Sequence, residues 1–231
     1  MNISPINEES LLIRLGHDIS EKTHHKVKFY FDKLSHIKGV LSLVPSYNSL
    51  MLYYDLLEID YHTLKKNIEE IQYDEAIIKL EKRVIKLPVC YEMGLDLKRV
   101  STHTKLSIEE VIKIHSGTDY LVYMIGFTPG FPYLGGMETS LETPRLEVPR
   151  IKIEAGSVGI GGLQTGVYPL DTPGGWNIIG KTPIHLFDKG KSKTLLNMGE
   201  YVRFVPIDKK TFDQIQSEVK KGLYKVEVMT C

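Results

Sequence analysis

The sequence predicts an α+β protein of two domains: an N-terminal ferredoxin-like βαββαβ domain, and a C-terminal domain of many short strands closed into a β-barrel. Two observations predict this. In residues 1–87, apolar residues at helical spacing alternate with short β-branched runs in the order β, α, β, β, α, β. Between Gly126 and Pro183, 12 of the 19 Gly and 7 of the 11 Pro residues interrupt short strand-like runs. That pattern is typical of strands joined by tight turns.

Composition excludes several classes of protein. The chain has 231 residues, of which 42% are hydrophobic, and Lys plus Arg (29) equals Asp plus Glu (29). A formal net charge of zero argues against nucleic-acid binding, which normally needs a basic excess. Two cysteines form neither a disulfide framework nor a metal site. Since no signal peptide or long apolar run is visible, we expect a soluble cytoplasmic protein without a metal ion.

The first domain is predicted to run from residue 1 to residue 87, with the boundary before Pro88. Turn residues and helix caps separate its elements, which are a strand at Ser10–Leu15, a helix after Ile19 capped by Asp18 or Ser20, a hairpin within Val40–Asp55, a helix opened by Asp60 and a strand at Arg83–Leu87. The pair His24 and His25 is expected on the solvated side of the first helix.

The second domain, residues 88–231, is predicted to begin with two helices. Asp96 is expected to cap the first helix, while Ser107 and Glu110 form a capping box at the second, which Gly117 ends. His115 lies on the apolar face of the second helix. It is interpreted as a packed histidine bonded to a backbone carbonyl, with a role in a site as the alternative. The acidic second helix does not suit DNA reading.

Strands account for most of the remaining chain. Tyr120–Ile125 leads into the Gly/Pro-rich stretch, and further short strands are expected around 185–187, 194–196 and 201–205. A last helix capped by Asp208 or Thr211 is followed by a final strand at 223–229. Closure into a barrel would bury such strands without leaving exposed edges.

One segment matches the phosphate-loop pattern G-x-x-x-x-G-K-T. It runs from Gly175 to Thr182, but a turn precedes it and Pro183 follows it. A phosphate loop needs a strand before the glycines and a helix beginning at the lysine. The context therefore argues against a phosphate site.

Catalytic side chains do not form a recognisable set in the sequence. No triad or paired carboxylates can be assembled, and Ser157 lies outside a nucleophile elbow. Arg145 and Arg150 could each bind a carboxylate or phosphate, or could be ordinary surface arginines. Polar and aromatic side chains set among glycines suit a pocket for a small polar ligand, and these are Gln164, Thr165, Tyr168 and Trp176.

Four blocks of sequence resemble a known family. In order, they are GFTPGFPYLGG, PRLEVPR, AGSVGIGGLQTGVYP and TPGGWNIIGKTP, and HSGTDYLVYMIGF and VRFVPI also match. They resemble the KipI/PxpB family, also called allophanate hydrolase subunit 1 or carboxyltransferase subdomain C and D. The resemblance covers essentially the whole chain. One departure is Lys181, where relatives commonly have Arg.

The resemblance implies a cyclophilin-like barrel for the second domain and an ATP-dependent bacterial 5-oxoprolinase for the activity. That enzyme opens 5-oxo-L-proline to L-glutamate, and PxpA- and PxpC-like subunits would be the partners of this chain. Because related units pair with a sister domain, the site in this chain is expected to be incomplete. The residues expected to line it are Phe127, Pro129, Gly130, Phe131, Tyr133, Gln164, Thr165, Tyr168, Gly175 and Trp176, with His115 and Arg150 as further candidates.

Two other functions stay open at this point. KipI-type members inhibit a sensor histidine kinase by protein contact, and the same blocks would serve that role. A carboxyltransferase or allophanate hydrolase-type subunit acting on urea-like amides would need a biotin-carrying partner. A shaped pocket of glycine and aromatic residues favours a small ligand over a flat protein surface.

Overall fold

The computed structural model describes residues 1–74 and 82–230. The chain forms two compact units, Met1–Leu80 and Glu81–Cys231. Helices and strands occur in both, as the α+β prediction requires. No helix among the described residues is long and apolar enough to cross a lipid bilayer.

The first unit contains four strands and two helices in its described part. They are β1 (Asn2–Asn7), β2 (Ser10–Arg14), α1 (Glu21–Leu34), β3 (Val40–Pro45), β4 (Ser49–Tyr54) and α2 (Tyr61–Glu69). The Ser20 hydroxyl accepts a hydrogen bond from the Thr23 amide, and the Asp60 carboxylate accepts from two amides of the first turn of α2. Both helices therefore begin where the capping residues predicted.

The strands of the first unit form an antiparallel sheet in the order β1-β2-β4-β3. Alternate residues of the strands are fully buried, namely Leu11 and Ile13 of β2 and Leu50 and Leu52 of β4. Inner residues of the helices, Val27 of α1 and Leu64 of α2, are also fully buried. This alternation places one face of the sheet against the helices.

The location predicted for His24 is wrong. The side chain is fully buried, because position 24 lies on the same face of α1 as the buried Val27 and Tyr30. Burial lowers the pKa of His24 to about 4. His25 keeps the solvated position and lies 3.8 Å from the Glu21 carboxylate.

The second unit is mostly β-structure. Its elements are β5 (Arg83–Val89), a 3-10 helix (Tyr91–Met93), α3 (Leu97–Thr104), α4 (Ile108–Ser116), β6 (Asp119–Ile125), β7 (Pro132–Gly135), a 3-10 helix (Thr139–Leu141), β8 (Arg150–Ile153), β9 (Ser157–Gly161), β10 (Gln164–Val167), β11 (Thr172–Gly174), β12 (Asn177–Lys181), β13 (Phe187–Asp188), β14 (Lys193–Thr194), β15 (Tyr201–Pro206), α5 (Lys209–Lys220) and β16 (Val228–Thr230).

Eight of these strands form one sheet in the order β12-β9-β10-β7-β6-β15-β5-β16. Backbone hydrogen bonds of 2.9 and 3.0 Å between Cys90 and Lys181 join the end of β5 to the end of β12, so the sheet curls round on itself. Inside lies a continuous apolar core that includes Leu87, Val122, Val158, Ile160 and Phe204. Strands β8 and β11 form a separate two-stranded ribbon.

The assignment of the strand at Arg83–Leu87 to the first domain is wrong. This strand is β5, which pairs in parallel with β15 and antiparallel with β16. The position next to β2, where a ferredoxin-like sheet would place its last strand, is taken by the N-terminal β1. The predicted boundary between Leu87 and Pro88 falls inside β5, and the two compact units divide between Leu80 and Glu81.

The helices of the second unit begin near the predicted residues. Ser107 and Glu110 form the capping box of α4, and Asp208 caps α5. Asp96 precedes α3 but makes no side-chain cap there, because its carboxylate is bonded elsewhere, to Ile178 and Arg150.

The segment that matches the phosphate-loop pattern forms strand β12. Its residues pair antiparallel with β9, and no helix begins at Lys181. The backbone amides there are engaged in the sheet rather than folded around an anion.

Candidate functional site

Aromatic side chains line a cavity of about 160 Å³ in the second unit, which we call the aromatic pocket. The lining comes from the β6–β7 loop, from β7, from the chain before β8, from the chain that follows β10, and from the ribbon strand β11 with the two residues after it. It consists of Phe127, Phe131, Tyr133, Arg145, Tyr168, Pro173, Gly174, Gly175 and Trp176. The cavity is smaller than a typical drug-binding pocket, so it suits a ligand of few atoms.

Phe131 stands at the centre of the aromatic pocket. Its ring meets those of Tyr133, Tyr168 and Trp176 edge to face, with centroid distances of 5.4, 5.6 and 5.6 Å. Phe127 adds a fourth edge-to-face contact at 5.9 Å. Such pairs are favourable beyond the area they bury, so they stabilise the cluster without a ligand.

Glycines on strands β9 and β10 make room for the indole of Trp176. A Cβ atom on Gly161 of β9 would lie 2.6 Å from two indole atoms, and one on Gly166 of β10 would lie 3.1 Å from a third. The indole therefore lies flat against the backbone of β9 and β10. A larger residue at position 161 would displace it.

The loop before β7 holds Phe127 at the mouth of the pocket. The Gly126 amide donates to the Phe131 carbonyl at 3.0 Å, which closes the loop. Within it Phe127 has a φ of +63° and its side chain is 71% exposed. A non-glycine residue in the left-handed region costs about 1–3 kcal/mol, and such strain is often found at binding sites.

Arg145 is the only charged residue among those that line the aromatic pocket. Its guanidinium carbon lies 5.9 Å from the centroid of the Trp176 ring. In the described part of the chain no carboxylate forms an ion pair with it. The guanidinium therefore offers a fork of donors to an anion at the pocket mouth.

Tyr168 supplies a hydroxyl group to the pocket. Burial raises its pKa, while a hydrogen bond with the Trp176 backbone and the charges of Arg145 and Arg150 act in the opposite direction. The phenol is therefore neutral at pH 7. It can position a polar ligand atom by hydrogen bonding.

Six of the residues expected to line the site come together here, namely Phe127, Phe131, Tyr133, Tyr168, Gly175 and Trp176. Pro129 and Gly130 belong to the same loop but lie outside the lining. Gly130 has a φ of +86°, and its Cα packs against Phe187. Gln164 is half-buried at the start of β10, where it pairs with Gly161.

Thr165 and His115 form a buried network beneath the pocket instead of lining it. The Thr165 hydroxyl lies 3.1 Å from the Gly159 carbonyl and 2.8 Å from Nε2 of His115, whose Nδ1 lies 2.7 Å from the Tyr91 hydroxyl. If Thr165 donates to Gly159, it accepts from Nε2–H, and Nδ1 accepts from Tyr91.

The environment of His115 keeps its imidazole neutral at pH 7. Complete burial lowers its pKa to about 3, and its ring stacks on Phe204 at 4.6 Å. The side chain is packed, as the sequence suggested, but it bonds two hydroxyls rather than a backbone carbonyl.

Arg150 lies outside the aromatic pocket. Its Nη2 donates to Asp96 at 2.7 Å, and the other Asp96 oxygen accepts from the Ile178 amide, also at 2.7 Å. Arg150 instead lines a separate cavity, together with Lys152 and Glu154. Its role here is to tie β8 to β12.

The structure adds Arg145, Pro173 and Gly174 to the expected lining. The sequence predicts an anion-binding role equally for Arg145 and Arg150, since both flank the same proline-bracketed segment. Only the pairing of Arg150 with Asp96 separates them, and Asp96 lies 54 residues away in sequence.

Metal binding has no obvious support in the side-chain arrangement. Within residues 1–74 and 82–230, no three His, Cys, Asp or Glu side chains are grouped so as to hold a metal ion.

Comparison with known proteins places the chain in a family. The model of the family "Carboxyltransferase domain, subdomain C and D" matches residues 1–196. The B-type subunit of 5-oxoprolinase from Bacillus subtilis (strain 168) is 40% identical over 233 residues, covering 94% of this chain and 97% of that protein. The corresponding 5-oxoprolinase subunit of Haemophilus influenzae is 38% identical over 208 residues, covering 89% and 97%.

A solved structure agrees with these relatives. TTHA0988 superposes with a TM-score of 0.78 at 34% identity, over 86% of this chain. The present chain spans only 40% of the length of TTHA0988. From the family match and the two curated relatives, the chain belongs to the carboxyltransferase domain, subdomain C and D family.

Proposed function

We propose that this chain is the B-type subunit of an ATP-dependent 5-oxoprolinase, and that its aromatic pocket binds 5-oxo-L-proline. One observation carries the proposal: an arginine without an ion-pair partner among the described residues lies at the mouth of a small pocket whose other lining residues are uncharged and mostly aromatic. A five-membered lactam with one carboxylate has the complementary surface, a flat ring and one anion. The names of the curated relatives support the same substrate.

Each part of the pocket has a role in this binding. The ring of the substrate lies among Phe131, Tyr168 and Trp176, and Arg145 pairs with the carboxylate. The neutral Tyr168 hydroxyl can donate to the lactam oxygen or accept from the ring N–H. These contacts fix which edge of the lactam faces out of the pocket.

The chemistry explains why this chain needs partners. A lactam carbonyl is a poor electrophile, and phosphorylation of its oxygen with ATP would activate the ring carbon. That step releases ADP. Water then adds to the ring carbon, the ring C–N bond breaks, and the nitrogen takes up a proton to become the amine. The acyl phosphate that remains is hydrolysed by a second water to the side-chain carboxylate of L-glutamate and inorganic phosphate. No His, Asp or Glu is among the described residues that line the pocket, so proton transfer is assigned to another subunit and the chain alone is inactive.

Exposed apolar side chains near the pocket support contact with a partner subunit. Phe127, Val148 and Ile151 are 71%, 81% and 91% exposed, and grouped apolar side chains at a surface mark protein interaction sites. In TTHA0988 more than half of the chain lies outside the part matched here, which is in keeping with a further domain. We assign PxpC- and PxpA-like subunits as the partners.

We further propose a fold type for each unit and a cellular location for the chain. We assign the second unit to the cyclophilin-like barrels, because its main sheet curls until β5 and β12 meet. We assign the first unit to the ferredoxin-like sheets, with β1 in place of the last strand. A cytoplasmic location follows from the need for ATP.

The test is reconstitution. The chain is mixed with its PxpA- and PxpC-like partners, each omitted in turn, and glutamate release from 5-oxoproline with ATP is measured. The proposal expects turnover only when all subunits are present. An assembled complex without turnover would contradict it and would redirect work to inhibition of a histidine kinase by protein contact.

A further inference from the structure

We propose that Asn177 is a positioning residue that holds Arg145 over the aromatic pocket. This inference deepens the proposed function and rests on it, because it explains how the carboxylate-binding side chain is kept in place. Asn177 itself does not line the pocket. It acts through the backbone of the segment that carries Arg145.

The amide of Asn177 is completely buried and bonds through both of its polar atoms in one orientation. Its Oδ1 accepts from Nε of Arg99 at 2.8 Å. Its Nδ2 donates to the carbonyls of Pro144 and Ile160, both at 3.0 Å. Reversing the amide would place its oxygen against two carbonyl oxygens, so these contacts select a single orientation.

Both contacts to the Arg145 segment come from residues next to Trp176. The carbonyl of Pro144, directly before Arg145, is held by Asn177. The amide of Leu146, directly after Arg145, donates to the Gly175 carbonyl at 2.7 Å. Arg145 and the indole beneath it are thus fixed to each other through the backbone on both sides.

A purely structural residue at this position would be expected to be apolar. The next two residues of strand β12, Ile178 and Ile179, are buried and apolar, and β-branched residues favour such strands. Burying an amide is unfavourable unless its polar atoms are bonded. In this strand the amide reaches out of the sheet to Pro144, which an isoleucine could not do.

The first readout needs no ligand. Trp176 is the only tryptophan of the chain, so a sample labelled with ¹⁵N-tryptophan gives a single indole resonance in NMR. Arg145→Ala removes the cation above the ring and shifts that resonance. We expect Asn177→Ala to shift it in the same direction, and the double variant to coincide with Arg145→Ala alone. Asn48→Ala, in the hairpin turn of the first unit, is the control and should leave it unchanged.

The second readout uses the reconstituted complex. Asn177→Ala is expected to raise the KM for 5-oxoproline about 10-fold with little change in kcat. That increase corresponds to the loss of one charge-assisted hydrogen bond between Arg145 and the substrate carboxylate. Competitive inhibition by 2-pyrrolidinone, the same ring without the carboxylate, should not change. A purely structural role would weaken both ligands equally.

A second variant guards against misfolding of Asn177→Ala. Arg99 is exposed on α3, so Arg99→Ala removes one partner of Asn177 without a cavity in the core. It should shift the indole resonance in the same direction by a smaller amount. An unmoved resonance in both variants, or additive effects of Asn177→Ala and Arg145→Ala on KM, would overturn the proposal. If the resonances respond but the assembled complex does not turn over 5-oxoproline, the proposed function fails and the positioning role stands.

Discussion

Replacing Gly161 by alanine is expected to displace the indole on which the aromatic pocket is built. The added methyl group would lie 2.6 Å from Cδ1 and Nε1 of Trp176, whereas ordinary contacts are 3.4–4 Å. The indole must therefore move by about 1 Å. Phe131 and Tyr168 contact the indole edge to face, so a shift of the indole would disturb both rings.

The cost can be bounded from these contacts. Overpacking a well-filled site typically destabilises by about 1–3 kcal/mol. Loss of a glycine restricts the unfolded chain and returns about 0.4–1 kcal/mol. Since Gly161 does not have a left-handed φ, no backbone strain is added. We expect a net destabilisation of about 1–2 kcal/mol and a higher KM for 5-oxoproline.

Urea unfolding followed by the fluorescence of Trp176 measures the stability and the surroundings of the indole in one experiment. Gly190→Ala is the matched control, because its methyl group would meet only Asp188 at 3.4 Å in an exposed turn. An unchanged emission maximum and an unchanged KM in Gly161→Ala would refute the packing described here.

Three further predictions concern charge, pH and strain. Burial lowers the pKa of His115 to about 3, so the unfolded chain binds a proton below pH 6.5 that the folded chain does not. The free energy of unfolding should therefore fall by about 2 kcal/mol between pH 6.5 and pH 5 because of this histidine. His115→Asn should remove that part of the loss, as measured by urea unfolding followed by Trp176 fluorescence. Asp96→Ala leaves Arg150 and the buried Ile178 amide without their acceptor and should cost about 3–5 kcal/mol in the same assay, whereas a loss below about 1 kcal/mol would mean that Asp96 does not hold both groups as described. Phe127→Gly relieves the strain of the positive φ, so it should keep or raise the melting temperature while raising the KM for 5-oxoproline. Phe127→Ala keeps the strain and should be the less stable of the two variants.

Local signals in the sequence predicted most of the secondary structure. Caps such as Asp60 and the box of Ser107 with Glu110 lie within a few residues of the atoms they bond, so their effect is visible in a short window. The glycine-rich stretch predicted strands and turns for the same reason. His24 could have been placed correctly, since its spacing from Val27 is helical.

Pairings between distant residues could not be predicted in this way. Strand β5 belongs to the second unit because β15, more than 100 residues later, pairs with it in parallel, and a single strand carries no record of its partner. Asp96 has the residue type and position of a helix cap, yet its carboxylate bonds Arg150. That same pairing leaves Arg145 as the arginine at the pocket.

Arg145→Ala in the reconstituted complex tests the central claim most directly. The control is Arg14→Ala, which removes an exposed arginine of the first unit. Both variants must first be shown to assemble with the partner subunits. The pocket described here predicts that Arg145→Ala raises the KM for 5-oxoproline roughly 10- to 100-fold, the loss of a charge-assisted contact, while Arg14→Ala has the wild-type KM. Equal KM values for the two variants would contradict the assignment of the aromatic pocket as the substrate site.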